Sequence, residues 1–150
     1  PVTPEHLLEI PDEAMQKCGS TFRKVTYIKN ISRLAADGEI SIEELSALPD
    51  EEFCIELTKL PGIGTWTAEM LLIHSLLRPN VLSYGDLAIL RGLRMVYRHR
   101  TIRKDQFERY RKRYSPYGTI ASIYLWRVSA GVIPGLTDPA VRKKGAVKNR

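Results

Sequence analysis

Apolar residues recur along the chain with a helical period, and polar caps, glycines and prolines cut that pattern into short pieces. Thr3-Pro4-Glu5-His6 reads as an N-cap, a proline at the first helical position and an acidic first turn, which predicts a short helix through Leu8 that ends before Pro11. Asp12 is expected to cap a second short helix through Cys18, closed by Gly19. Ser20 starts a longer one over 21–36, with Val25, Ile28, Ile31, Leu34 and Ala35 on its apolar face and Gly38 after it. Ser41 and Glu44 fit a capping box for a helix reaching Ala47. Asp50 reads as the N-cap of the next helix, which runs into the turn Leu60-Pro61-Gly62-Ile63-Gly64. Thr65 to Leu77 follows with Trp66, Met70, Ile73 and Leu77 in period. After a loop or short extended piece over 80–85, Asp86 stands before a helix from Leu87 to Val96. The amphipathic segment Arg103–Lys112 comes next, and Ser115-Pro116 opens a last core helix, roughly Tyr117–Ala130. No repeat and no convincing strand pair interrupts the pattern, so the expected fold is all-α. The expected domain is 1–131, and 132–150, without a period, reads as a basic flexible tail.

The chain has 150 residues, 43% hydrophobic and 27% charged, which suits one globular domain with a core of its own. The net charge of +6 favours a polyanionic partner, though a solvated basic domain without one fits equally. Much of the excess lies in Arg142, Lys143, Lys144, Lys148 and Arg150. Cys18 and Cys54 are too far apart for a disulfide framework or metal-ligand cluster, and their apolar surroundings suggest core thiols in a reducing compartment. No apolar run approaches the ~18 residues of a membrane span, and no signal peptide is visible.

The turn between residues 60 and 64 carries the most specific signal. Gly62 and Gly64 can take positive φ and let another backbone come close. Gly64 sits at the mouth of the helix from Thr65, where outward N–H groups and the helix dipole suit a phosphate.

Leu60-Pro61-Gly62-Ile63-Gly64, then Thr65-Trp66-Thr67-Ala68, then Ser83-Tyr84-Gly85-Asp86-Leu87 resembles the helix-hairpin-helix (HhH-GPD) DNA glycosylases, and among them the 3-methyladenine DNA glycosylase II group. Ile123-Tyr124-Leu125-Trp126-Arg127 is similar to that family's terminal helix, and Arg23-Lys24 with Ile28 to its helix upstream of the hairpin, which lies at 50–77 here. The resemblance runs from about Thr3 to Gly131. It implies a multi-helix fold, double-stranded DNA with damaged bases as partner, and work in a bacterial nucleoid or a eukaryotic nucleus.

The resemblance also assigns roles. A phosphate would lie on Gly62, Gly64, Thr65 and Trp66, and a monovalent cation such as Na or K on the carbonyls of Leu60 and Gly62. Asp86 would be the catalytic carboxylate that stabilises positive charge on the sugar and orients water. On local sequence alone Asp86 reads first as an N-cap for the helix from Leu87, and one carboxylate can serve both roles. Trp66 and Trp126, with Tyr84 beside them, would form an aromatic pocket for a cationic alkylated base. Their plain alternative is core packing at helical spacing.

Departures from the family pattern narrow the activity. Trp66 stands where bifunctional relatives carry a lysine nucleophile, so a monofunctional enzyme without a Schiff base is implied. Cys18 and Cys54 match no iron–sulfur pattern, so no cluster is expected. Gly118 follows the Pro116-Tyr117 pair at a position where the resemblance implies an arginine in many relatives. Nothing in 1–19 matches the helices that open the family domain, which suggests the carboxy-terminal part of a longer enzyme, with apolar faces through which it could self-associate. The remaining alternatives are a catalytically silent or truncated helix-hairpin-helix DNA-binding module and a helical protein-interaction domain.

His74 reads as packed or capping, and Arg94, Arg98 and Arg100 as phosphate contacts or a solvated helix end. The alternating charges of 103–113 read as a solvent face.

Overall fold

The computed structural model of the chain describes residues 2–140, and all regular structure among them is helical. The helices are α1 (Pro4–Glu9), α2 (Asp12–Lys17), α3 (Phe22–Ala36), α4 (Ile42–Ala47), α5 (Asp50–Thr58), α6 (Thr65–His74), α7 (Leu87–Tyr97), α8 (Lys104–Tyr114) and α9 (Gly118–Ser129). The all-α expectation stands. Among the described residues no helix is long and apolar enough to cross a membrane. The chain divides into two compact units, up to Ala68 and from Glu69 onward.

In the first unit α1 and α2 pack on α3, whose Val25 is fully buried, and Lys29 of α3 pairs with Asp12 at 2.6 Å. Thr3, Thr21 and Ser41 cap α1, α3 and α4 through their hydroxyls, each accepting an amide three residues on. Asp12 and Asp50, expected as N-caps, instead sit one residue inside their helices behind Pro11 and Pro49. There they are first-turn acids that face the positive helix end.

In the second unit Leu82, Ile89, Leu93, Ile102, Phe107 and Leu125 form the buried core. α9 lies close against α7: a Cβ added to Gly92 would meet the Leu125 carbonyl oxygen at 2.5 Å. α6 ends three residues before its apolar pattern does. Leu77 takes φ +52°, the Arg78 amide bonds back to the Leu72 carbonyl at 2.9 Å, and Leu77 itself is exposed. An αL closure that turns the chain has overridden the hydrophobic period.

Cys18 is exposed and Cys54 partly so, which corrects the reading of both as core thiols. The stretch expected to be a flexible tail begins with an anchored piece. Asp138 is held in a two-point pair with Arg94, 3.0 Å from its Nε and 2.6 Å from its Nη2, and Arg91 Nε lies 3.7 Å away. The rest of that tail, 141–150, lies outside the described residues.

Candidate active site and nucleic-acid contacts

The segment from Arg78 to Asp86 has no regular structure, yet α9 holds it closely. The Thr119 hydroxyl donates to the Arg78 carbonyl at 2.5 Å and accepts the Val81 amide at 3.1 Å, while the Thr119 amide donates to the Pro79 carbonyl at 3.0 Å. The fully buried Ser122 hydroxyl donates to the Val81 carbonyl at 2.8 Å, and the Gly118 amide to Asn80 Oδ1 at 3.2 Å. A Cβ on Gly118 would come within 3.0 Å of Asn80, so the lack of a side chain there leaves room for this clamp. Loop backbone this well satisfied has few alternatives. Thr119 and Ser122 are small polar residues early in a helix, with nothing in their spacing to mark them beforehand.

The clamped segment delivers Asp86, which is 6% exposed. Its Oδ1 accepts the Ala88 and Ile89 amides at 2.8 and 3.0 Å, as an N-cap for α7. Its Oδ2 accepts the Trp126 indole N–H at 3.2 Å. The capping reading of Asp86 therefore holds, and the same carboxylate is tied to Trp126 from 40 residues away. Trp126 is partly buried, packs against the core, and stacks on the exposed His74 ring with centroids 5.6 Å apart and planes 13° apart. His74 is thus exposed to solvent on one side and packed through its stack on Trp126. Asp86, Trp126 and His74 form a chain of contacts that combines a fixed anion with an electron-rich ring.

A second carboxylate, on α6, meets the loop, and nothing in the sequence pattern marked it. The fully buried Ser83 donates its hydroxyl to Glu69 Oε2. Burial pushes the Glu69 carboxyl above its ordinary value, and the nearby Asp86 adds to the rise. The Ser83 hydrogen bond and the positive charges of Lys104 and Arg111 oppose it. Tyr84 turns toward α8: its ring meets the Phe107 edge at 5.1 Å, and the Lys104 ammonium lies over it, 4.6 Å from the centroid. Of the expected pocket aromatics, Trp126 is therefore tied to Asp86, while Tyr84 is engaged by α8.

In the first unit, the turn after α5 is compact. The Ile63 amide donates to the Leu60 carbonyl at 3.1 Å. Gly62 takes φ +89°, and a Cβ there would clash with the Tyr27 ring, so only glycine fits. Gly64 has open space around it, and the first amides of α6 follow from Thr65. Trp66 is half-exposed in that first turn. The arrangement can take a phosphate on backbone amides without reading sequence.

Arg94 is the partner of Asp138 rather than an open cation, and Arg103 is paired with Asp105. α8 otherwise presents the expected charged face and buries Phe107. Among the described residues, no group of three or more His, Cys, Asp or Glu converges as a metal site would require.

A glycine-pinned helix-hairpin-helix turn, with a buried capping aspartate on the second following helix, defines a class of DNA-handling helical domain. The match of residues 1–116 to the HhH-GPD superfamily of base excision DNA repair proteins makes the membership plain: the chain belongs to that family. It is 36% identical over 144 residues to DNA-3-methyladenine glycosylase 1 of Schizosaccharomyces pombe, covering 95% of this chain and 62% of that protein. A solved structure of the S. pombe 3-methyladenine DNA glycosylase in complex with abasic DNA matches with a TM-score of 0.76 and 37% identity, over 85% of this chain and 63% of that one. DNA-3-methyladenine glycosidase of Bacillus halodurans matches with a TM-score of 0.69 and 34% identity, over 85% and 59%. The chain thus spans about three-fifths of the length of these relatives.

Proposed function

We propose that the chain is the helix-hairpin-helix part of a monofunctional DNA glycosylase that excises alkylated bases such as 3-methyladenine in base excision repair. The observation that carries this is Asp86, buried and held at both oxygens by α7 amides and Trp126. Damaged double-stranded DNA is the substrate, and the base is taken out of the stack before chemistry. Amides near Gly62, Gly64, Thr65 and Trp66 hold a backbone phosphate. The Leu60 and Gly62 carbonyls are hard oxygen donors of the kind an alkali ion takes.

As the N-glycosidic bond breaks, positive charge grows on the sugar, and the fixed Asp86 anion stabilises it without having to reorganise. The same carboxylate orients the incoming water. Trp126 offers an electron-rich face to a cationic base, worth about 0.5–2 kcal/mol. Trp66 in place of lysine leaves hydrolysis rather than Schiff-base chemistry, and no iron–sulfur cluster enters the scheme. Such an enzyme works where chromosomal DNA lies, in a bacterial nucleoid or a eukaryotic nucleus.

Counting abasic sites made in alkylated duplex DNA tests this. Asp86→Asn is expected to lower release by about 10²-fold or more while DNA binding persists. Equal release by both proteins would remove Asp86 from the mechanism. Binding without release by the unaltered protein would establish the silent module instead.

A second part of the reading concerns α9, which with its N-cap residue exposes Tyr117, Ile120, Ile123 and Tyr124. We infer that this face pairs with a second copy when nothing else covers it. Sedimentation that shows only monomer at about 100 μM would refute this.

A further inference from the structure

The proposed chemistry uses Asp86 and leaves the neighbouring carboxylate, Glu69, without a role. Glu69 projects from α6 and accepts the hydroxyl hydrogen of Ser83, which is fully buried. A hydroxyl has one hydrogen to give, and here it goes to Glu69 rather than to the loop's own backbone. Ser83 lies three residues before Asp86, in the stretch where α9 holds Val81 through Thr119 and Ser122. The loop is therefore held from two helices, over 78–81 by α9 and at Ser83 by α6. The second hold is the closer of the two to Asp86.

Keeping an ionisable group there has a cost. Burial opposes the charge and the negative Asp86 opposes it further, while Ser83, Lys104 and Arg111 favour it. Lys104 and Arg111 are also shared with Glu108, at 3.3 and 2.9 Å. A neutral amide would avoid the cost and could still accept from Ser83, more weakly. Stability alone thus gives no reason for a carboxylate at this position.

We propose that Glu69 is a positioning residue for base release: through its charge-assisted bond to Ser83 it fixes the loop that presents Asp86 to the sugar. The role rests on the glycosylase reading above. It requires the ionised form of Glu69, which burial makes easier to protonate than an ordinary carboxylate, so the role is lost as the solution becomes acidic.

The test is single-turnover base release from alkylated duplex DNA by the full-length gene product, measured between about pH 5 and 8, together with DNA affinity and thermal unfolding. Glu69→Gln is expected to slow release about 10- to 100-fold, the scale of a sub-ångström to ångström misplacement. DNA affinity should stay within about twofold and Tm at neutral pH should hold or rise. The variant should lose the part of the acid limb that belongs to Glu69. Ser83→Ala should slow release similarly, and the double variant should be no worse than either single one. Glu69→Asp should recover part of the rate. Wild-type release by Glu69→Gln at every pH would overturn the proposal, as would strictly additive losses in the double variant. Absence of release by the unaltered protein would instead overturn the glycosylase reading on which the proposal stands.

Discussion

Trp126 answers two demands with one side chain: its ring packs on the core and against His74, and its N–H holds Asp86. Trp126→Phe keeps much of the ring and removes the bond to a charged acceptor, worth about 1.5–3 kcal/mol. Base release should fall at least tenfold and Tm by several degrees, read by abasic-site counting and thermal melts. Gly62 is constrained by a positive φ and by the Tyr27 ring at once. Gly62→Ala should cost about 1–3 kcal/mol and weaken DNA binding, as seen in urea unfolding and fluorescence titration. At this scale the sequence was legible where backbone chemistry forces a residue type. Glycines at the turn and an acid before Leu87 could be read directly. The Ser83–Glu69 bond and the Thr119 clamp could not, because they join residues 14 and 38–41 positions apart through short polar side chains that leave no periodic trace.

The helices themselves were largely visible, since each carries an apolar face and its bounds are marked by caps, prolines or glycines. The exception, α6, shows why boundaries err: Leu77 continues the period but sits in an αL turn, exposed. Packing between elements was invisible. Gly92 looks like a flaw in a good helix, yet it lets α7 approach the Leu125 carbonyl. Gly92→Ala should destabilise by about 1–3 kcal/mol through overpacking, although alanine is the better helix former. The Asp138 strap onto α7 was likewise hidden within a stretch without period. Arg94 beside it holds the Asp138 carboxyl below the ordinary carboxylate range. Its contribution to stability is therefore full above the unfolded value near pH 3.9 and is lost as pH falls through the lower folded value. Asp138→Asn should lower stability by roughly 1–2 kcal/mol at neutral pH, since Arg94 keeps 21% of its side chain exposed, and the two proteins should converge in strong acid. Melts across pH would show it.

For the molecule as a whole, charge is unevenly placed. Of the net +6, five positive charges belong to residues 141–150, which contain no acid. The remaining chain is nearly neutral. Removing 141–150 should therefore flatten the dependence of DNA affinity on salt, by up to about 0.9 in log–log slope for each phosphate no longer neutralised. Base release at saturating DNA should not change. An unchanged slope would place the phosphate-binding cations elsewhere. The two bonds on Asp86 have a thermal corollary. A carboxylate already locked by an N-cap and an indole has no rotamers to surrender on the way to the transition state. The barrier to base release should then be mainly enthalpic, and loosening the lock with Trp126→Phe should make the activation entropy more negative across a temperature series.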